Sequence, residues 1–360
     1  MLLKWAKEIH WGLVFPMLGL ALIGILFVFS ASHYEAEHFA TKQTFWIAFG
    51  LIAFFATTWI GYRSFLGVSY LFYALTLLLL AVVLVVGESR LGAQRWVNIG
   101  PFILQPSEFA KLATMMALAN FLGSHHSWEK ENRIILIALG MVFVPMVLIM
   151  KQPDLGSALL FLPMAAVMLF LWGIRYRYLI GTVVAGCAIA PFFWGLLKEY
   201  QKKRVLVFLN PNLDPLGAGY TAVQSRIAVG SGGLFGKGYL AGTQTQLQFV
   251  PEHHTDFIFC VIGEEWGYAG SLLLLVLYGF LLKAAFQVME RTTDIKAKLL
   301  TAGLLAVLFA QVFINVGMTF GLMPITGLTL PFVSYGGSSF LATSVALGLI
   351  LSIYKERSIF

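Results

Sequence analysis

The chain has 360 residues, of which 59% are hydrophobic and only 11% charged, and its formal charge is +7. Mean hydropathy is +0.82, whereas a soluble domain carries about a quarter charged residues, so a soluble enzyme is excluded and an integral membrane protein implied. The apolar runs are too long for the alternating strands of an outer-membrane barrel, and no basic cluster interleaved with aromatics points to nucleic acid as a partner.

A spanning helix needs about 20 mostly apolar residues. Ten such runs follow one another, at 12–32, 43–61, 65–87, 107–123, 134–151, 155–174, 179–197, 257–284, 299–318 and 336–354. The expected fold is all-α, a polytopic helical bundle forming one membrane domain over residues 1–360. The first run lacks the small-residue cleavage site of a signal peptide. Lys and Arg mark the cytoplasmic side. With the N-terminus inside, that side collects Lys4, Lys7, Arg63, Lys130, Arg133, Arg175, Arg177, Lys283, Arg291, Lys296, Lys298, Lys355 and Arg357, while the short outer loops keep Lys42, Arg90, Arg95 and Lys151. Both termini are then cytoplasmic, and a large extracytoplasmic loop, about 198–255, joins helices seven and eight. Cys187 and Cys260 both fall inside predicted spans and read as packing residues, with no disulfide framework and no zinc spacing.

Charge inside a membrane is costly and is usually paired or functional. Gln105-Pro106-Ser107-Glu108 opens the fourth span, and Glu108 and Lys111, three apart, share a helix face. Asp154, at the junction of spans five and six, is a second candidate partner for Lys111. An ion-pair staple around a wet cavity accounts for these three better than direct catalysis. The string Gly230-Ser231-Gly232-Gly233-Leu234-Phe235-Gly236-Lys237-Gly238 lacks the Lys-Ser/Thr ending of a phosphate loop and reads as a flexible, close-packed loop. The one long polar stretch closes on Pro251-Glu252-His253-His254-Thr255-Asp256, just before the eighth span. Glu264 and Glu265 lie two turns deeper, about 12 Å along a continuous helix, and read as buried hydrogen-bonding groups. The segment 319–335, punctuated by Pro324 and Pro331, is expected to line a cavity, because irregular backbone at this depth must be covered by protein or water.

Two accounts of Thr255-Asp256 compete on these residues alone. Thr or Asp at a helix start caps orphan N–H groups and suits the positive dipole end. A carboxylate at the membrane border equally suits proton transfer on a half-lipid substrate.

The run from Gly317-Met318-Thr319-Phe320-Gly321-Leu322-Met323-Pro324 to Pro331-Phe332-Val333-Ser334-Tyr335-Gly336-Gly337-Ser338-Ser339 resembles the C-terminal signature of the SEDS proteins (shape, elongation, division and sporulation). Gly92-Ala93-Gln94-Arg95-Trp96, Gln152-Pro153-Asp154-Leu155-Gly156 and His254-Thr255-Asp256-Phe257 fall in that family's order, so the likeness covers essentially the whole chain. Phe208-Leu209-Asn210-Pro211, Asp214-Pro215-Leu216-Gly217 and Gly242-Thr243-Gln244-Thr245-Gln246 are most similar to the elongation branch, RodA.

The resemblance implies a peptidoglycan glycosyltransferase that polymerises lipid II through inverting β-1,4 bonds and releases undecaprenyl pyrophosphate. It makes Asp256 the essential aspartate and so favours the catalytic account over the cap. It also implies a bacterial inner-membrane location with the site facing outward. Implied partners are a class B penicillin-binding protein and other elongation-complex proteins such as MreC and MreD. Arg204, Arg95 and Lys111 are the candidate cations for the departing diphosphate, with His254 as an orienting group. Ser334 is a candidate either for substrate contact or for bonding to backbone. Mg²⁺ or Mn²⁺ could share the charge-neutralising role, but no dedicated metal cage is visible. Two other classes remain compatible: a lipid II flippase using Glu108, Lys111 and Asp154 as its route, and a non-enzymatic scaffold of the elongation complex.

Overall fold

The computed structural model describes residues 9–33, 38–90, 93–99, 102–125, 131–178, 199–215 and 217–357, with isolated residues between 180 and 195. The expected seventh span, 179–197, thus lies almost wholly outside the described residues, as do Lys4, Lys7, Lys130, Cys187 and Leu216. The other nine apolar runs are all occupied by helices. In chain order these are α1 (Trp11–Ala31), α2 (Phe39–Ile60), the short α3 (Tyr62–Gly67), α4 (Ser69–Val86), α5 (Pro106–Ser124), α6 (Glu131–Lys151), α7 (Leu155–Leu159) and α8 (Phe161–Trp172). After the gap come α9 (Glu199–Leu209), α10 (Ala218–Ser231), α11 (Thr243–Gln246), α12 (Ile258–Glu265), α13 (Gly267–Arg291), α14 (Ile295–Thr319) and α15 (Gly337–Arg357). Among the described residues, seven segments, counting Leu155–Trp172 as one, are long and apolar enough to cross a membrane. The chain is a polytopic helical membrane protein.

The all-α expectation needs one correction. Between α4 and α5 the chain forms a small antiparallel meander of β1 (Glu88–Arg90), β2 (Ala93–Ile99) and β3 (Phe102–Leu104). Its register pairs Glu88 with Trp96 and Val97 with Leu104. This places Arg95 on a strand rather than in an open loop.

A second correction concerns the eighth span. It is two helices, α12 and α13, broken at Trp266-Gly267, so depth along one straight rod does not apply to Glu264 and Glu265. The glycine-rich loop after α10 is bolted onto that break. Lys237 and Gly238 donate their N–H groups to the carbonyls of Glu264 and Glu265, each at 3.0 Å. A Cβ on Gly236 would lie 2.0 Å from the carbonyl oxygen of Glu265, so only glycine permits the approach. The loop is close-packed, as expected.

Glu264 fastens the joint. It is fully buried and accepts from Lys237 Nζ at 2.7 Å, Gln244 N at 2.8 Å, and Thr245 N and Oγ1 at 3.1 Å each. A buried carboxylate needs this many donors to offset its lost hydration. Glu265 accepts from Ser30 Oγ at 2.5 Å and ties the same joint to α1. Replacing Glu264 by Ala leaves several loop donors unmatched while Lys237, partly exposed, can turn outward. The expected cost is roughly 2–3 kcal/mol, checked as a lowered unfolding temperature of the purified protein in detergent.

Candidate active site

The site is assembled at the loop-side end of the bundle, where the irregular stretch between α14 and α15 meets the residues just before α12. Residues 320–336 carry no helix, and all but Phe320 and Leu322 are buried or half-buried. Their backbone must find partners, and Asn315 supplies two at once. Its Nδ2 donates to the carbonyls of Asp256 at 2.9 Å and Leu328 at 2.6 Å. Ser334 extends the same clamp. Its hydroxyl accepts from Leu330 N at 2.8 Å and donates to the Thr255 carbonyl at 2.6 Å. Tyr335 N donates to the His254 carbonyl at 3.0 Å. Of the two roles open to Ser334, the hydroxyl-to-backbone role is the one observed, and the side chain is buried.

This clamp sets Asp256 against two arginines from distant parts of the chain. Gly327 has φ +74°, and a Cβ built on it would stand 3.4 Å from Asp256 Oδ2 and 3.9 Å from Nη1 of both Arg204 and Arg95. The three charged groups therefore converge on one point that the absence of a side chain at Gly327 keeps open. Arg204, carried by α9, donates from Nη1 to the Ile325 carbonyl at 3.3 Å. Arg95 donates to the Pro153 carbonyl and lies 3.6 Å from Asp154 Oδ1.

Asp154 is buried at the N-terminus of α7. Its Oδ1 accepts from Ser157 N at 3.1 Å, capping that helix, and its Oδ2 accepts from Gln105 Nε2 at 3.2 Å. Its ion-pair partner is Arg95, which corrects the expected pairing with Lys111. Lys111 instead meets Glu108 at 2.8 Å, both side chains buried. That pair lines a separate, mainly apolar cleft of about 510 Å³, part of it open, with Met115, Leu304, Gln311 and Thr343. The cleft shares no lining residue with the group around Gly327. Glu108 and Lys111 pair within α5 and without Asp154, and Lys111 does not stand in the group around Gly327.

The capping account of Thr255-Asp256 also fails. The residue preceding α12 is Phe257, and no side chain caps that helix. Thr255 Oγ1 turns back to Glu252, 3.2 Å from its carbonyl oxygen. The ring of His254 stacks on Phe39 with centroids 4.5 Å apart. His253, which is buried, bridges the carbonyls of Val250 and Ala31 at 3.0 and 2.8 Å.

Asp256 is half-buried as a residue, but protein closely surrounds its carboxyl. Desolvation pushes that carboxyl up from its ordinary value to about 6; Glu252 and Asp154 push the same way, and Arg204 and Arg95 oppose them. Among the described residues no three His, Cys, Asp or Glu side chains gather as a metal cage. Arg95 and Arg204 are the cations that stand beside Asp256.

Sequence reasoning missed Asn315, Gln105 and the role of Gly327. An Asn inside an apolar run is itself a signal, because its amide must find partners there.

Residues 11–359 match the family model described as "Cell cycle protein", which covers FtsW, RodA and SpoVE. The chain is 39% identical to the peptidoglycan glycosyltransferase MrdB of Escherichia coli K12 over 95% of this chain and 92% of that protein. It is similar to a chain of a peptidoglycan synthase complex solved to show how polymerization and crosslinking are coordinated, with TM-score 0.84, 34% identity and coverage of 97% and 98%. It is also similar to the crystal structure of the rod shape determining protein RodA of Thermus thermophilus, with TM-score 0.73, 32% identity and 97% of each chain covered.

Each arginine beside Asp256 has a second anchor, in Ile325 for Arg204 and in Pro153 and Asp154 for Arg95. Asp256→Asn therefore removes a poorly solvated charge without stranding either guanidinium. Its unfolding temperature in detergent is expected to equal or exceed that of the wild type.

Proposed function

From the premise that this chain belongs to the SEDS family, that of FtsW, RodA and SpoVE, we propose that Asp256 is the general base of its glycosyl transfer. The enzyme is a peptidoglycan glycosyltransferase that polymerises lipid II into β-1,4-linked glycan and releases undecaprenyl pyrophosphate, in the elongation and shape-determining role. The observation that carries our assignment is the convergence of Asp256 Oδ2 and the guanidiniums of Arg95 and Arg204 about Gly327.

In this reading the hydroxyl of the acceptor sugar attacks the anomeric carbon of the donor. Its proton passes to Asp256 as the new C–O bond forms, and the bond from the anomeric carbon to the diphosphate breaks with inversion. A sugar alcohol is too weak an acid to ionise alone at neutral pH. Positioned proton transfer of this kind contributes typically ~10²–10⁴-fold. A carboxylate raised to about 6 is a stronger base than an ordinary one, yet remains largely ionised at pH 7. The departing diphosphate gains negative charge, which Arg95 and Arg204 meet from fixed positions. Their tethers to Pro153, Asp154 and Ile325 hold them in place beforehand, so little reorganisation accompanies the reaction.

Both lipid-linked substrates hang from one leaflet, which suits a site at the membrane border. We place that border on the outer face of the bacterial inner membrane, with ten spans, both termini cytoplasmic and the chain acting as one membrane domain. Its partner in this reading is a class B penicillin-binding protein, with MreC and MreD further members of the same assembly.

The decisive assay reconstitutes the purified protein with its transpeptidase partner, supplies labelled lipid II and reads glycan length on a gel. Asp256→Asn is expected to lower polymer yield by at least ~10²-fold while still docking the partner. Undiminished polymer would overturn the assignment and favour a transport or scaffold role.

The pH profile gives an independent check. Because Asp256 must be ionised to accept a proton, the rate should fall about tenfold per pH unit below its value of about 6. Glu252 helps hold that value up, so Glu252→Gln is expected to move the acid limb to lower pH, as measured by initial rates between pH 4.5 and 8.

A further inference from the structure

The glycine-rich loop has features that glycosyl transfer does not require. Its carbonyls cap a membrane helix: Tyr268 N donates to Gly233 O at 2.9 Å and Ala269 N to Leu234 O at 3.0 Å. These satisfy two of the orphan N–H groups at the start of α13. That helix has 25 residues, about 37 Å at 1.5 Å per residue, and so covers the ~30 Å hydrocarbon core by itself. Its first turn thus stands at the membrane border, and the loop tip stands with it.

A second contact places the loop's depth independently. Tyr239 OH donates to the carbonyl of Leu26 at 2.9 Å. Leu26 lies five residues before the end of α1 at Ala31, about 7.5 Å below it along the helix. Tyr239 and Trp266 both set their rings edge-on to Phe27, with centroids 6.2 and 4.8 Å away. The loop therefore dips below the end of a spanning helix.

At that depth the tip presents Leu234, 68% exposed, and Phe235, 81% exposed. Residues 230–236 contain no charge, and the neighbouring Lys237 turns inward to Glu264. The exposed tip continues onto Tyr268, Leu272 and Leu273, which are exposed on α13. An uncharged, apolar surface continuous with the face of a spanning helix fits acyl chains rather than water.

We propose that Leu234 and Phe235 form a wedge inserted among the phospholipid chains of the leaflet on the loop side, the outer one in the orientation proposed above. The wedge is fastened through Glu264 and Glu265 to α12, the helix that follows Asp256. It holds the polar loop, and with it the catalytic carboxylate, at the depth of lipid headgroups.

The test is optical and does not read activity, so its failure would leave the assignment of Asp256 standing. Phe235→Cys, in a Cys187→Ala, Cys260→Ala background, carries an environment-sensitive fluorophore in vesicles of phosphatidylethanolamine and phosphatidylglycerol. Asn212→Cys, exposed in the polar turn of the same loop, serves as the aqueous reference. Shallow nitroxide-labelled lipids should quench the 235 label at least twofold more than the 212 label, and iodide should show the opposite preference. Equal iodide quenching at both sites, with no lipid effect, would overturn the proposal. Loss of lipid quenching when the transpeptidase partner is added would overturn it too, by assigning the patch to that protein. A benzophenone amino acid at position 235, which needs no cysteine removal, should crosslink to phospholipid; crosslinks to protein alone would again refute the wedge.

Discussion

One amide group holds the site together. The side chain of Asn315, buried within a spanning helix, donates both of its hydrogens to main-chain carbonyls, one of them that of Asp256. In a bundle surrounded by lipid there is little water to satisfy an irregular backbone, so every turn of 320–336 must be paid for with protein donors. Asn315, Ser334 and Gln43 supply those partners, as donors and acceptors, and each joins that segment to another part of the fold. Gln43, from α2, donates to the Ser334 carbonyl at 3.3 Å and accepts from Gly336 N at 3.4 Å. The backbone that carries Asp256 is thereby set before any substrate arrives.

The charges of this chain divide by what surrounds them. Glu108 with Lys111, and Glu264 with its ring of loop donors, are buried and matched, so they act on the architecture. Tyr62 OH donates to Asp294 at 2.9 Å, and Arg63 meets Glu356 at 2.8 Å, stapling the opposite end of the bundle. Around Gly327 the matching is deliberately incomplete in another sense: each arginine has an anchor of its own and still reaches toward the carboxylate. A group of two cations and a carboxylate, held close together, is what the proposed reaction calls on as it creates negative charge on one side and releases a proton on the other.

Much of this was legible beforehand, for identifiable reasons. Hydropathy reports the length of apolar runs, so nine of the ten expected spans fall on described helices. The membrane-border carboxylate stood out because it closes the only long polar stretch. Pairing was harder. Glu108 and Lys111 are neighbours on one helix face, and spacing alone suggests them. Arg95 and Asp154 are 59 positions apart and meet only because a strand turns one toward a helix end that the other caps. Trp96, Val97 and Ile99 are strand-favouring residues, but the run is short and stands beside much longer apolar ones. The break at Trp266-Gly267 follows directly on Glu264-Glu265, but that pair reads equally as two buried groups within one continuous helix. The value of Gly327 lies in what is missing from it, which no count of side chains can register.

Because loop carbonyls terminate α13, loop and membrane helix share a boundary that neither can shift alone. Variation in length between residues 232 and 247 would uncap a helix in an oily setting, whereas the turn at 210–215 caps only the shorter α10. Natural diversification of the polar segment, and any engineered graft into it, therefore has its room on the near side of α10. The glycine string acts less as a spacer than as a rivet, and its composition follows from the narrowness of the gap it fills.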